Sequence, residues 1–95
     1  MKTRRVKETV GGRPYEYVPF GRYVVSAPAV CRGRPTFKYT RVEVAGVLER
    51  LAAGHPVQEL IAGYEGRVSQ EAIQEAAALA ARALAQQTAG QNRRT

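Results

Sequence analysis

Between Cys31 and Arg41 the chain reads Cys-Arg-Gly-Arg-Pro-Thr-Phe-Lys-Tyr-Thr-Arg, which sets Arg32, Arg34, Lys38 and Arg41 around the rings of Phe37 and Tyr39. Cations interleaved with aromatics suit a polyanion, because guanidinium and ammonium groups contact phosphate oxygens while rings pack or stack. The same residues also read as a solvated basic face above a core Phe37, and both readings stay open at this stage. Further along, Gln70 and Gln74 sit one helical turn apart, and their amides have the donor–acceptor pair that matches an adenine edge.

Other residue types capable of chemistry are scarce. The chain has one cysteine, Cys31, and one histidine, His55. A single thiol makes neither an internal disulfide nor a cysteine zinc site. Neither residue has a sequence neighbour suited to activating it as a nucleophile or base. No acid–base or metal constellation is visible, so the expectation is a protein that is not an enzyme and uses no cofactor.

The formal charge of +7 over 95 residues suggests an anionic partner. Its distribution is uneven. Residues 1–41 hold ten Lys and Arg against Glu8 and Glu16, whereas residues 42–90 hold Arg50, Arg67 and Arg82 against six glutamates. Arg93 and Arg94 then give a basic tip. The apolar share of 44% is that of a folded domain. No apolar run approaches the ~20 residues that cross a bilayer, and no signal-peptide core follows the basic start. The expected location is the cytoplasm, with no membrane partner.

The elements that must position these groups follow from turn residues and periodicity. Residues 1–13 read as a flexible basic N-terminus. Tyr15–Val18 and Arg22–Ser26 favour strands, and Pro19-Phe20-Gly21 between them has turn chemistry, so a short hairpin is expected. Pro28, Gly33 and Pro35 exclude a helix from residues 27–41. From Val42 onward Val44, Val47, Leu48 and Leu51 mark a helix that Gly54 and Pro56 end. A second helix is expected over residues 57–63. A third runs from an N-cap at Ser69 to about Gln87, with Glu71 and Glu75 near its positive end. Ile73, Ala76, Ala77, Ala80 and Leu84 form one apolar stripe on it, and Ala72, Leu79 and Ala83 form another. Two stripes exceed what short helices cover, so a homodimer packed through this helix is expected. The predicted fold class is mainly α: a three-helix helix-turn-helix core preceded by a short β-hairpin, as one domain over residues 14–87 with a flexible tail at 88–95.

Several segments, in this order and spacing, carry a family resemblance across residues 23–84. They are Pro28-Ala29-Val30-Cys31, Gly33-Arg34-Pro35, Thr40-Arg41-Val42, Val47 to Gly54, Val57 to Ile61, and Gln70-Glu71-Ala72-Ile73. Together they resemble domain-of-unknown-function family 433. The resemblance implies a compact winged or homeodomain-like helix-turn-helix. It also implies an antitoxin of the VapB type, which holds a PIN-type nuclease toxin inactive and represses its own promoter.

On that reading Arg32, Arg34, Lys38, Arg41, Gln70 and Gln74 face nucleic acid or another anion. Arg93 or Arg94 enters the toxin's acidic site by pairing with carboxylates. The alternative is a protein-interaction module that binds no DNA. The chain departs from the family pattern at Arg32 and at Tyr39, where the pattern has glycines. If a glycine there serves a positive φ, tyrosine costs on the order of 1 kcal/mol. Either the loop differs, or Tyr39 is kept for a contact.

Overall fold

The computed structural model describes residues 4–92, with side chains described for residues 4–87. Strand β1 (Val6–Val10) and strand β2 (Arg13–Pro19) form a hairpin, followed by β3 (Val24–Ser26) and the two-residue β4 (Thr36–Phe37). Helices α1 (Val44–Ala52), α2 (Val57–Gly63) and α3 (Gln70–Asn92) complete the chain. The strands form one antiparallel sheet in the order β1-β2-β3-β4.

This arrangement corrects the mainly α expectation. A four-stranded antiparallel sheet stands beside three helices, and the fold is α+β, not a helix-turn-helix core with an appended hairpin. The sheet supplies Tyr17, Val24, Val25 and Phe37 to the core. Val24 and Phe37, which pair across β3 and β4, pack with Val44, Val47, Leu60, Ala72, Ile73 and Ala76 from the helices and with Val68 from the connection before α3. Successive strand residues point to opposite faces, so Val25 looks the other way. There it is fully buried with Tyr17 and Ala27. A strand covered on both faces lies inside the fold.

The segment at residues 6–10, read from composition as part of a mobile end, is strand β1. Val10 pairs with Arg13 across Gly11-Gly12, whose φ values of 59° and 79° are open to glycine at little cost. Two central residues at positive φ make the turn that matches the twist of an antiparallel pair.

Helix α3 begins as its residue types dictate. The Ser69 hydroxyl accepts a hydrogen bond from the Ala72 amide at 3.1 Å. One turn later the Glu75 carboxylate accepts three more. They come from the backbone N–H groups of Arg22, Tyr23 and Val24, at 2.7, 2.7 and 2.9 Å. Burial pushes the Glu75 carboxyl up, but the amides of Tyr23, Arg22 and Val24 and the Arg22 charge outweigh it and hold the carboxyl below its ordinary range. The β2–β3 turn thus hangs on a side chain of α3. A Cβ at Gly21 would lie 2.7 Å from that carboxylate, so a side chain there would push the end of Glu75 off its amides.

Glu75→Ala leaves three amides without their acceptor and is expected to cost about 2 kcal/mol in chemical denaturation at neutral pH. A carboxyl depressed on folding stabilises most above its unfolded value, and that contribution fades as pH falls through the folded value. The gap between wild type and variant therefore closes in acid; a gap that stays constant would contradict the assignment.

Candidate nucleic-acid interface

Three cations reach one cleft from three separate connections. Arg22 lies in the β2–β3 turn, Lys38 directly after β4, and Arg67 just before α3. Each backbone is pinned. The Arg22 amide is bonded to Glu75, the Lys38 amide donates to the Tyr23 carbonyl at 2.7 Å, and the Arg67 amide donates to the Tyr64 carbonyl at 3.0 Å. Glu65 and Gly66, at φ 56° and 77°, bend the chain so that Arg67 returns to the amino end of α3.

The cleft has a volume of about 340 Å³ and is also lined by Tyr23, Tyr39, Ser69 and Ala72. Its place at the start of a helix adds the positive end of the backbone dipole to the three side-chain charges.

Tyr39 and Arg67 are shared with a second cleft of about 340 Å³, which continues over Tyr15, Val30 and Arg41. Those last three residues in turn border a third, of about 380 Å³, that reaches Arg13 and Glu16. The shared residues make the three clefts neighbours, and together they are called the track. No carboxylate lines the first two clefts, and Glu16 in the third is paired with Arg5 at 3.1 Å.

Tyr39 stands at the junction and is 56% exposed. Its φ is 67°, so the left-handed conformation is kept in spite of the bulky side chain. Contacts hold it there. The Tyr39 amide donates to the Tyr15 hydroxyl at 3.0 Å, and the Tyr39 hydroxyl donates to Glu8 at 2.8 Å. The other oxygen of Glu8 accepts from the Tyr17 hydroxyl at 3.0 Å. Lys38 places its ammonium 5.5 Å from the ring centroids of both Tyr17 and Tyr39. The hydrogen bond to Glu8, with some burial and the Glu8 charge, pushes the Tyr39 phenol up to about 12.

The residues singled out from sequence fare differently. Lys38 and Arg41 line the track. Arg34 does not: its guanidinium makes two bonds to Glu43, at 2.9 and 3.0 Å. Arg32 is exposed at φ 58° within a single 3-10 turn and borders none of the three clefts. Gln70 and Gln74 are exposed on α3 and also lie outside the track. Arg93 and Arg94 lie outside the described residues.

Sequence reasoning missed Arg13, Arg22 and Arg67. Arg67 had a signal, since it stands two residues before a serine N-cap where an anion would sit. Arg13 is placed by sheet pairing and Arg22 by its bond to Glu75.

On a different face, α1 and α3 leave an apolar groove of about 590 Å³ lined by Phe20, Val44, Leu48, Leu79, Ala80 and Ala83. Among the described residues no group of His, Cys, Asp and Glu could hold a metal ion, and no helix is long and apolar enough to cross a membrane.

A family model described as a protein of unknown function, DUF433, matches residues 24–80. The chain belongs to that family. Comparison with the curated proteins and with the solved structures gives no match. The stretch matched to DUF433 runs from β3 into the first half of α3. The β1–β2 hairpin, with Glu8, Tyr15 and Tyr17, lies before it. Tyr39, within the matched stretch, is therefore held by groups outside it.

A phenol raised on folding contributes stability below the ordinary tyrosine value and loses it as pH rises through the folded value near 12. Burial and the Glu8 bond push the Tyr17 phenol up as well, so titration followed by phenolate absorbance is expected to show late ionisation that Tyr39→Phe reduces. A wild-type curve in which every tyrosine ionises near 10 would contradict the Glu8 bond.

Proposed function

We propose that this chain is a small regulatory protein of the antitoxin type that grips nucleic acid by its phosphates, operator DNA being the target implied by the family resemblance. The supporting observation is the track itself: Arg22, Lys38, Arg67 and Arg41 open on one concave surface whose first two clefts have no carboxylate in their lining. A structural salt-bridge network would pair such cations, as Arg34 is paired with Glu43. Cations gathered in neighbouring clefts repel one another and favour a polyanion that releases counterions on binding. A PIN-type toxin as protein partner rests on the resemblance, and co-purification with a co-expressed neighbouring gene product is its direct check.

A second reading is a protein-interaction module, favoured by the apolar groove between α1 and α3. The occupant proposed is a second copy of the chain, because the small side chains of Ala80 and Ala83 let two α3 helices approach closely.

Two measurements test these readings. Fluorescence anisotropy with the chain's own promoter fragment, as duplex and as separated strands, is expected to show a log–log salt slope of about −3. Lys38→Glu with Arg67→Glu should weaken binding by more than tenfold and reduce that slope by about 2. No binding of either form at low salt overturns the nucleic-acid reading. For the dimer, light scattering at micromolar concentration should give twice the 10.4 kDa chain mass, and Leu79→Glu should return it to one; a monomer in the wild type removes the groove's proposed occupant.

A further inference from the structure

The shape of the track bears on which form of nucleic acid it takes. Duplex DNA is a convex rod, read by elements that protrude into its grooves, and its bases are stacked away from any ring outside them. This surface is concave, and tyrosines stand among its cations: Tyr23 and Tyr39 at the first cleft, Tyr39 and Tyr15 at the second. Cations along a groove with rings between them follow the backbone of an unpaired strand while its bases stack.

Tyr39 is the ring best placed for that role. It is more than half exposed and belongs to both clefts. The Lys38 ammonium lies over one face of its ring, so a base would stack on the exposed remainder with a phosphate near that ammonium. Its backbone is in a conformation that glycine would adopt freely, so the side chain is retained against a local cost. The Glu8 bond fixes the ring's edge and so orients its plane.

We infer that the track binds a single-stranded nucleic acid, with phosphates on Arg22, Lys38, Arg67 and Arg41 and a base stacked on Tyr39. This rests on the nucleic-acid reading and narrows it to an unpaired strand, DNA or RNA. Both sources share the phosphate and base chemistry on which the inference stands.

The test compares labelled oligonucleotides of about 12 nucleotides as single-stranded DNA, single-stranded RNA and duplex DNA at one low salt concentration. Both or either of the single strands should bind at least tenfold more tightly than the duplex, and the stronger of the two identifies the source. Tyr39→Gly, which accepts the same φ without strain, should weaken the single strand about tenfold and leave duplex affinity unchanged. Tyr39→Phe keeps the ring but loses the Glu8 bond that orients it, and its single-strand affinity should fall between those of wild type and Tyr39→Gly.

The chain contains no tryptophan, so stacking is also expected to quench the tyrosine emission on addition of the unlabelled strand. Circular dichroism confirms that each variant is folded. Duplex binding equal to or tighter than that of both single strands overturns the inference and leaves the phosphate-binding reading standing. So does single-strand affinity untouched by Tyr39→Gly. Binding of none of the three probes removes both.

Discussion

A carboxylate on the second turn of α3 accepts the amides of three consecutive residues in the β2–β3 turn, and most of the molecule's arrangement passes through that junction. It adds a polar tie between the sheet and the longest helix where Val24 already packs against Ala72, Ile73 and Ala76. It places Arg22 by its own backbone. It also disposes of a negative charge that would otherwise face the mouth of the basic cleft. Glu75 near the start of α3 argues against an anion there if it points outward; turned inward, it is the reason the cleft keeps its shape. Glu71 remains as the exposed acid of that first turn.

The helices were legible because their signals are local. The Val44, Val47, Leu48 and Leu51 pattern, the Gly54–Pro56 break and the Ser69 cap each report within a few residues, and α2 begins and ends where its apolar face and flanking glycine place it. The sheet was half legible. The Pro19–Gly21 turn marks one hairpin, but the charges of Arg4, Arg5 and Lys7 masked a plainer hairpin signal next to it. Val6-Lys7-Glu8-Thr9-Val10 followed by Gly11-Gly12 has both the β-branched ends and the turn that a two-residue hairpin needs. Composition weighed against pattern, and pattern was the better guide.

The site was legible only in part, for a related reason. Basic residues close in sequence, 32 to 41, suggested one ribbon. Folding divides it: Arg34 is drawn to Glu43, while Lys38 and Arg41 turn toward arginines from distant connections. Proximity along the chain says little about which charges share a surface when the segment contains a 3-10 turn, a two-residue strand and a left-handed Tyr39. Tyr39 shows the converse. Its departure from the family pattern was visible in the sequence, but its partners Glu8 and Tyr15 come from a hairpin that had not been recognised, so its purpose was not.

Strand β1 closes one end of the sheet order, and that position carries a consequence for the protein at high concentration. A terminal strand presents backbone donors and acceptors to any extended chain that comes alongside, which is how soluble sheets grow into aggregates. Here the outermost strand alternates Lys7 and Thr9 with Val6, Glu8 and Val10, follows Arg5, and ends in a tight glycine turn. A neighbouring copy approaching that edge would have to bring the same lysine and arginine into register with these. The charge that suits the protein to an anionic partner thus also discourages it from pairing, strand to strand, with itself.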